Sequence, residues 1–168
     1  MNPDICTLTA AMISYDQGDP QRIHHFLKVH AFARLLGLEE GLDPHTQSVL
    51  EATALVHDIG IHQAEARYGS SAGKYQEELG PAEAEALLSR LNWPKEDITR
   101  ITYLVGHHHT YDQIDGMDYQ LLVEADFLVN LYEDQIPPAA QRHAYETIFK
   151  TPSGRCLCRE LYPAVAEE

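Results

Sequence analysis

Residues Ala52-Thr53-Ala54-Leu55-Val56-His57-Asp58-Ile59-Gly60 decide the fold. Small and apolar side chains run without a break into a His-Asp pair, and a glycine follows almost at once. Such a stretch reads as a buried helix that delivers two ligand-type side chains at its end. Upstream, Asp43-Pro44 supplies an N-cap and a first-turn proline, so the helix is expected from there to about Asp58. Downstream, Ile61 to Tyr68 reads as a short helix and Gly69-Ser70-Ser71-Ala72-Gly73 as a flexible loop.

The same helical pattern extends in both directions. Helices are expected over Ile5–Tyr15, from Pro20 to about Gly37, over Pro81–Leu91, Lys95–His109 and Asp118–Glu133, from Pro137-Pro138 through Phe149, and near Arg155–Tyr162. Their apolar residues recur at helical spacing, as in Leu121, Leu122, Ala125, Leu128 and Val129. Val, Ile, Thr and Tyr do not gather into alternating runs, so no sheet is expected. The expected fold class is all-α, a compact bundle of seven or more helices. The chain has 168 residues, 44% of them hydrophobic, which suits one domain with a real core.

Twelve Lys and Arg face 26 Asp and Glu, a formal net charge of −14. Such a surface repels nucleic acid and anionic membrane. No run approaches a membrane span, and Met1-Asn2-Pro3-Asp4 lacks the start of a signal peptide. Cys6, Cys156 and Cys158 form no zinc-type CxxC pair. A soluble, cytoplasmic protein is expected, with homo-oligomerisation left open.

Ten histidines are the compositional anomaly. Four clusters interrupt apolar helices: Arg22-Ile23-His24-His25, Val56-His57-Asp58-Ile59-Gly60, Gly106-His107-His108-His109 and Glu124-Ala125-Asp126. Buried imidazole and carboxylate need partners, and a divalent metal is one. Nitrogen with carboxylate oxygen suits Zn, Fe, Mn or Co and suits Ca poorly.

Taken in order, His25, His57-Asp58 and Asp126 resemble the H…HD…D signature of the HD superfamily of metal-dependent phosphohydrolases. The separations of 32 residues between the histidines and 68 between the aspartates are similar to the family's, and Arg22-x-x-His25-x-x-x-Val29 and Glu124–Asn130 resemble its first and last metal-binding segments. The resemblance covers about residues 20–135. It implies a single HD-type domain over 1–168, with the segment 136–168 packed on that core. It also implies a metal-dependent hydrolase of phosphate esters, with one or two divalent transition ions (Fe, Mn, Co, Ni or Zn) and a small-molecule phosphate substrate.

The implied ligands are His25, His57, Asp58 and Asp126, with His108 and then His107 toward a second ion. Asp58 is the expected general base. Arg22, Lys28, His62, Arg67, Lys74 and His109 are candidates for contacting substrate, Arg67 and Lys74 from either side of the Gly69–Gly73 loop. His24, His45 and His143 are expected outside the site, and His30 either in the pocket or in the core. The chain departs from the family pattern at Gln76–Pro81, where the two-metal branch carries a histidine. Glu77 replaces that ligand or belongs to a solvated acidic face. A di-iron oxygenase and a non-catalytic nucleotide or metal sensor are the alternative functions, and the substrate is not specified by any base-reading motif.

Overall fold

The computed structural model of the protein describes residues 4–167; Met1–Pro3 of the N-terminal stretch discussed above lie outside them. The chain folds as α1 (Ile5–Tyr15), α2 (Pro20–Glu39), α3 (Pro44–Val56), α4 (Ile61–Tyr68), α5 (Gly73–Arg90), α6 (Lys95–Val105), α7 (Met117–Glu133), α8 (Pro138–Thr147) and α9 (Pro152–Leu161), then a 3-10 turn over Pro163–Ala166. No strand occurs among the described residues.

Local chemistry sets the helix starts. The Asp4 carboxylate accepts from the N–H groups of Cys6 and Thr7, and Asp43 accepts from His45 and Thr46. Asp19 caps α2 and Thr151 caps α9, each followed by a proline whose missing N–H costs nothing in a first turn. α3 is apolar nearly all round: every residue from Val49 to Val56 is buried. Such a helix must lie inside. It packs against α1, α2, α6 and α7, while α2 also packs on α7. α9 closes over α7 and α2, and the 3-10 turn bridges α8 and α9.

Several boundaries differ from the sequence expectation by two or more residues, and three of these lie beside the histidine clusters. α5 starts at Gly73, eight residues before Pro81, and that proline lies inside the helix. The first two turns carry no apolar stripe; tertiary hydrogen bonds hold them instead, from Gln76 Nε2 to Ser71 O (2.7 Å) and from Tyr68 Oη to Glu78 (2.6 Å). α3 ends at Val56, so His57–Gly60 form a turn rather than the last helical residues. α6 ends at Val105, and the three histidines lie on a turn closed by Thr110 N–H donating to His107 O at 2.8 Å.

The His57–Gly60 turn is pressed against α5. A Cβ on Gly60 would lie 2.7 Å from Gly80 N and 2.8 Å from Gly80 Cα, both immovable backbone. Only glycine permits this approach. No helix among the described residues is long and apolar enough to cross a membrane.

Candidate metal centre

Three elements converge. α2 brings His25, the turn after α3 brings His57 and Asp58, and α7 brings Asp126. His25 Nε2 lies 3.2 Å from His57 Nε2, from Asp58 Oδ2 and from Asp126 Oδ1. His57 Nε2 lies 3.4 Å from the same two carboxylate oxygens. All four side chains are buried or nearly so.

The tautomers explain why this cluster calls for a cation. His57 Nδ1 faces Ala54 O at 2.7 Å, and His25 Nδ1 faces the Glu133 carboxylate at 2.6 Å. Each Nδ1 must therefore carry a proton, which leaves both Nε2 atoms of the neutral rings as lone-pair donors aimed at one point. Two such lone pairs facing two carboxylates have nothing to share unless a proton or a metal ion sits among them. Asp126 Oδ1 is buried without a hydrogen-bond partner.

The metal-free electrostatics agree. Burial alone pulls the His25 imidazole down, but Asp126 and Asp58 outweigh it and push it up to about 11. The same contest at His57, between burial and the Asp58 and Asp126 charges, pushes it up to about 10. Burial raises Asp58 and Asp126, yet His57, His25 and, for Asp58, His108 hold both below the usual carboxylate range. The cluster is an anionic nest that takes up protons when no metal is there.

The donor set fits a transition ion. The two Nε2 atoms lie 3.2 Å apart and 3.2–3.4 Å from each of the Asp58 and Asp126 oxygens, the separation of neighbouring ligands that zinc and similar ions hold at about 2.0 Å from imidazole and carboxylate. Two imidazoles in four donors disfavour calcium and magnesium.

A second group abuts the first through Asp58. His108 Nε2 lies 3.4 Å from Asp58 Oδ1, the oxygen that faces away from His25, and has no hydrogen-bond partner. Its Nδ1 is committed to Val105 O at 2.8 Å. Asp58, His108 and His109 together offer ligand atoms within 4.8 Å of one another. Because these histidines lie on a turn and not on a helix, two consecutive side chains reach one place. Glu77 fixes that turn by accepting from His109 N–H and Thr110 Oγ1, both at 2.9 Å, and belongs to neither ligand group. His107 lies outside both groups: its ring stacks on Tyr103 at 4.1 Å, and its Nδ1 faces Tyr103 O.

A cavity of about 210 Å³ opens over the cluster, lined by His25, Asp58, Asp126, Arg22 and His109 among others. Arg22 is its only Lys or Arg, and it is held at 2.5 Å by Glu65. Burial and the neighbouring His108 push His109 down to about 4, so it is neutral near pH 7, with Nε2 against Gln76 Oε1 at 3.0 Å.

The other basic candidates are placed elsewhere. Lys28 pairs with Glu133 at 2.5 Å, and His62 pairs with Asp16 at 3.1 Å and Asp19 at 3.5 Å. Arg67 and Lys74 lie over the rings of Tyr68 and Tyr75. None of these four lines the cavity. Outside the site, His30 and Arg34 bind buried Glu51, His45 binds Asp97 at 2.7 Å, and His24 and His143 are exposed.

Sequence reasoning missed Glu133, Asn130, Asp134, Gln21 and Gln76, all of which line the cavity. Asn130 and Glu133 lie four and seven residues after Asp126, the spacing of one helix face, and that was the available signal.

Neither a protein-family model nor a curated protein matches the sequence. Among solved structures, the chain is similar to a predicted HD superfamily hydrolase from an uncultured Thermotogales bacterium. The TM-score is 0.69, with 22% identity over 98% of this chain and 88% of that one. The two share the all-helical HD-domain fold.

Proposed function

We propose that this protein is a metal-dependent hydrolase of phosphate esters, acting on a small phosphorylated metabolite or nucleotide. The observation that carries the reading is the meeting of His25 Nε2, His57 Nε2, Asp58 Oδ2 and Asp126 Oδ1 within 3.4 Å of His25 and His57, beneath an open cavity. The fold shared with a predicted HD superfamily hydrolase supports it. His25, His57, Asp58 and Asp126 would hold one divalent transition ion; Asp58, His108 and His109 are the candidates for a second. A bound ion of this kind acidifies a coordinated water and offsets phosphate charge.

The remaining work falls to the chain. Asp58, ionised and at the floor of the cavity, accepts the proton of the attacking water. The water oxygen forms the new bond to phosphorus, the P–O ester bond breaks, and the leaving alkoxide takes up the proton that Asp58 accepted. Arg22 at the rim is the cation available to hold a phosphate oxygen. Neutral His109 and the Gln76 and Asn130 amides line the same cavity and can hydrogen-bond substrate without adding charge. One Asp58 oxygen faces each group, so Asp58 would serve both sites if a second ion were held.

Phosphate release from a panel of phosphomonoesters and nucleotides, with Mn, Fe, Co, Ni and Zn supplied in turn, tests the reading. Turnover with at least one metal, lost in Asp58→Asn, is expected. No phosphate from any substrate with any metal overturns it, and two irons per chain with oxygen consumption would move the assignment to oxidative chemistry.

A further inference from the structure

The cavity over the cluster adjoins a second and larger one. Asn130, one turn after Asp126 on α7, and Asp134, at the C-terminal cap of that helix, line both. The second cavity holds about 490 Å³, within the range of small-molecule sites, whereas the first at about 210 Å³ falls below it. It lies between α7 and α8, and its walls include Phe127, Leu131, Ile136, Ala144 and Ile148. Tyr111 completes it, its ring edge-on to Phe127 with centroids 5.4 Å apart.

Charge separates the two chambers. The lining of the second contains no Lys or Arg; its acidic and basic side chains are Asp134 and His143, the latter exposed. Asp134, which lines both, is acidic. A second phosphate led past Asp134 would meet a carboxylate, with no Lys or Arg beyond it to offset the charge. Uncharged apolar surface, by contrast, would leave water for a wall of aliphatic and aromatic side chains.

We propose that this cavity receives the uncharged alkyl or aryl group of a phosphomonoester whose phosphate lies against the His-Asp cluster. The inference rests on the phosphoester reading of that cluster, and it narrows the substrate class. Esters of apolar alcohols or phenols are preferred over polyphosphates and over esters whose second half is charged.

Phosphonates carry the same head group and are not hydrolysed, so they read binding apart from turnover. Methyl-, butyl- and hexylphosphonate are titrated calorimetrically into the metal-loaded full chain. Burial of each added methylene predicts about a fourfold gain in affinity until the cavity is filled. Ala140→Trp and Thr147→Trp, at exposed positions of α8 that line the cavity, each place an indole inside it. They are expected to flatten the series and to leave methylphosphonate affinity and metal content unchanged.

A flat series in the wild-type chain, or a slope untouched by both substitutions, overturns the proposal. A rising series with no hydrolysis of the matching phosphate esters leaves the cavity assignment standing and removes the hydrolase reading. Where no phosphonate binds, butanol and hexanol probe the cavity alone through the NMR methyl shifts of Leu131, Ile136 and Ile148. Unshifted methyls overturn the proposal, and shifted methyls keep it.

Discussion

Glu133→Ala should weaken metal binding without unfolding the chain. The Glu133 carboxylate accepts from His25 Nδ1 at 2.6 Å and also pairs with Lys28 at 2.5 Å. Its carboxylate pairs only with His25 and Lys28 among the described residues, so its effect on the cluster passes through one ring. That contact fixes which nitrogen of His25 is protonated, sets the ring's orientation and raises the basicity of Nε2. Losing a partner of this kind costs 10–100-fold in metal affinity, about 1.4–2.7 kcal/mol. The lost Lys28 pair adds little to stability, because the Lys28 side chain is 44% exposed and such pairs contribute at most about 1 kcal/mol.

Competition against a chromophoric chelator, with Co or Zn, measures the affinity; circular dichroism checks the helices. Glu133→Gln, whose amide oxygen can still accept from Nδ1, should recover part of the loss. An affinity within twofold of wild type in Glu133→Ala would refute the reasoning, since His25 would then not be a ligand that depends on its Nδ1 partner.

Other substitutions probe the surroundings. Gly60→Ala forces a methyl into Gly80 backbone and should cost about 1–3 kcal/mol, lowering Tm by about 2–12 °C; a Tm within 1 °C of wild type in a scanning calorimeter would show that the turn can give way. His108→Ala should remove one ion from a two-ion centre, while His107→Ala, whose ring only stacks on Tyr103, should keep both; elemental analysis of the two variants gives the answer, and equal stoichiometry in both would exclude His108. Metal binding must displace protons held on His25 and His57, pushed up to about 11 and about 10. Affinity should therefore rise between pH 6 and 8 by about tenfold per pH unit for each proton released, and a flat profile would contradict this. The metal-free fold has the opposite dependence. The stabilisation these protons give is complete below the unfolded-state value near 6.5 and is lost as pH climbs through about 10 and about 11, which thermal melts of chelated protein would follow.

Much of the helical order was legible because it rests on local rules. Asp19-Pro20 and Asp43-Pro44 each open a helix where a cap and a first-turn proline require one, and Ile5–Tyr15 and Ile61–Tyr68 have the bounds expected of them. The first half of α5 was not legible, since Gln76 and Tyr68 support it through partners that only the fold supplies. The ends of α3 and α6 were misread by the same cause. Nothing local marks where His57 or His107 leaves the helix, and the close packing of Gly60 on Gly80 decides the first of these. His25, His57, Asp58 and Asp126 were named from sequence and do meet in space. The wider set rests on charge alone: Arg67 and Lys74 lie over aromatic rings away from the cavity, and Lys28 is held by Glu133, a lining residue, without lining it itself. Glu133 and the cavity between α7 and α8 depend on how helices far apart in sequence pack, and composition carries no trace of that.

Whether the His-Asp cluster holds a metal is decided by elemental analysis of the chain purified without chelator or affinity tag. At least one transition ion per chain is expected, lost in Asp58→Ala and in Asp126→Ala with helical content unchanged. A chain that holds none of Mn, Fe, Co, Ni or Zn after incubation with each would contradict it.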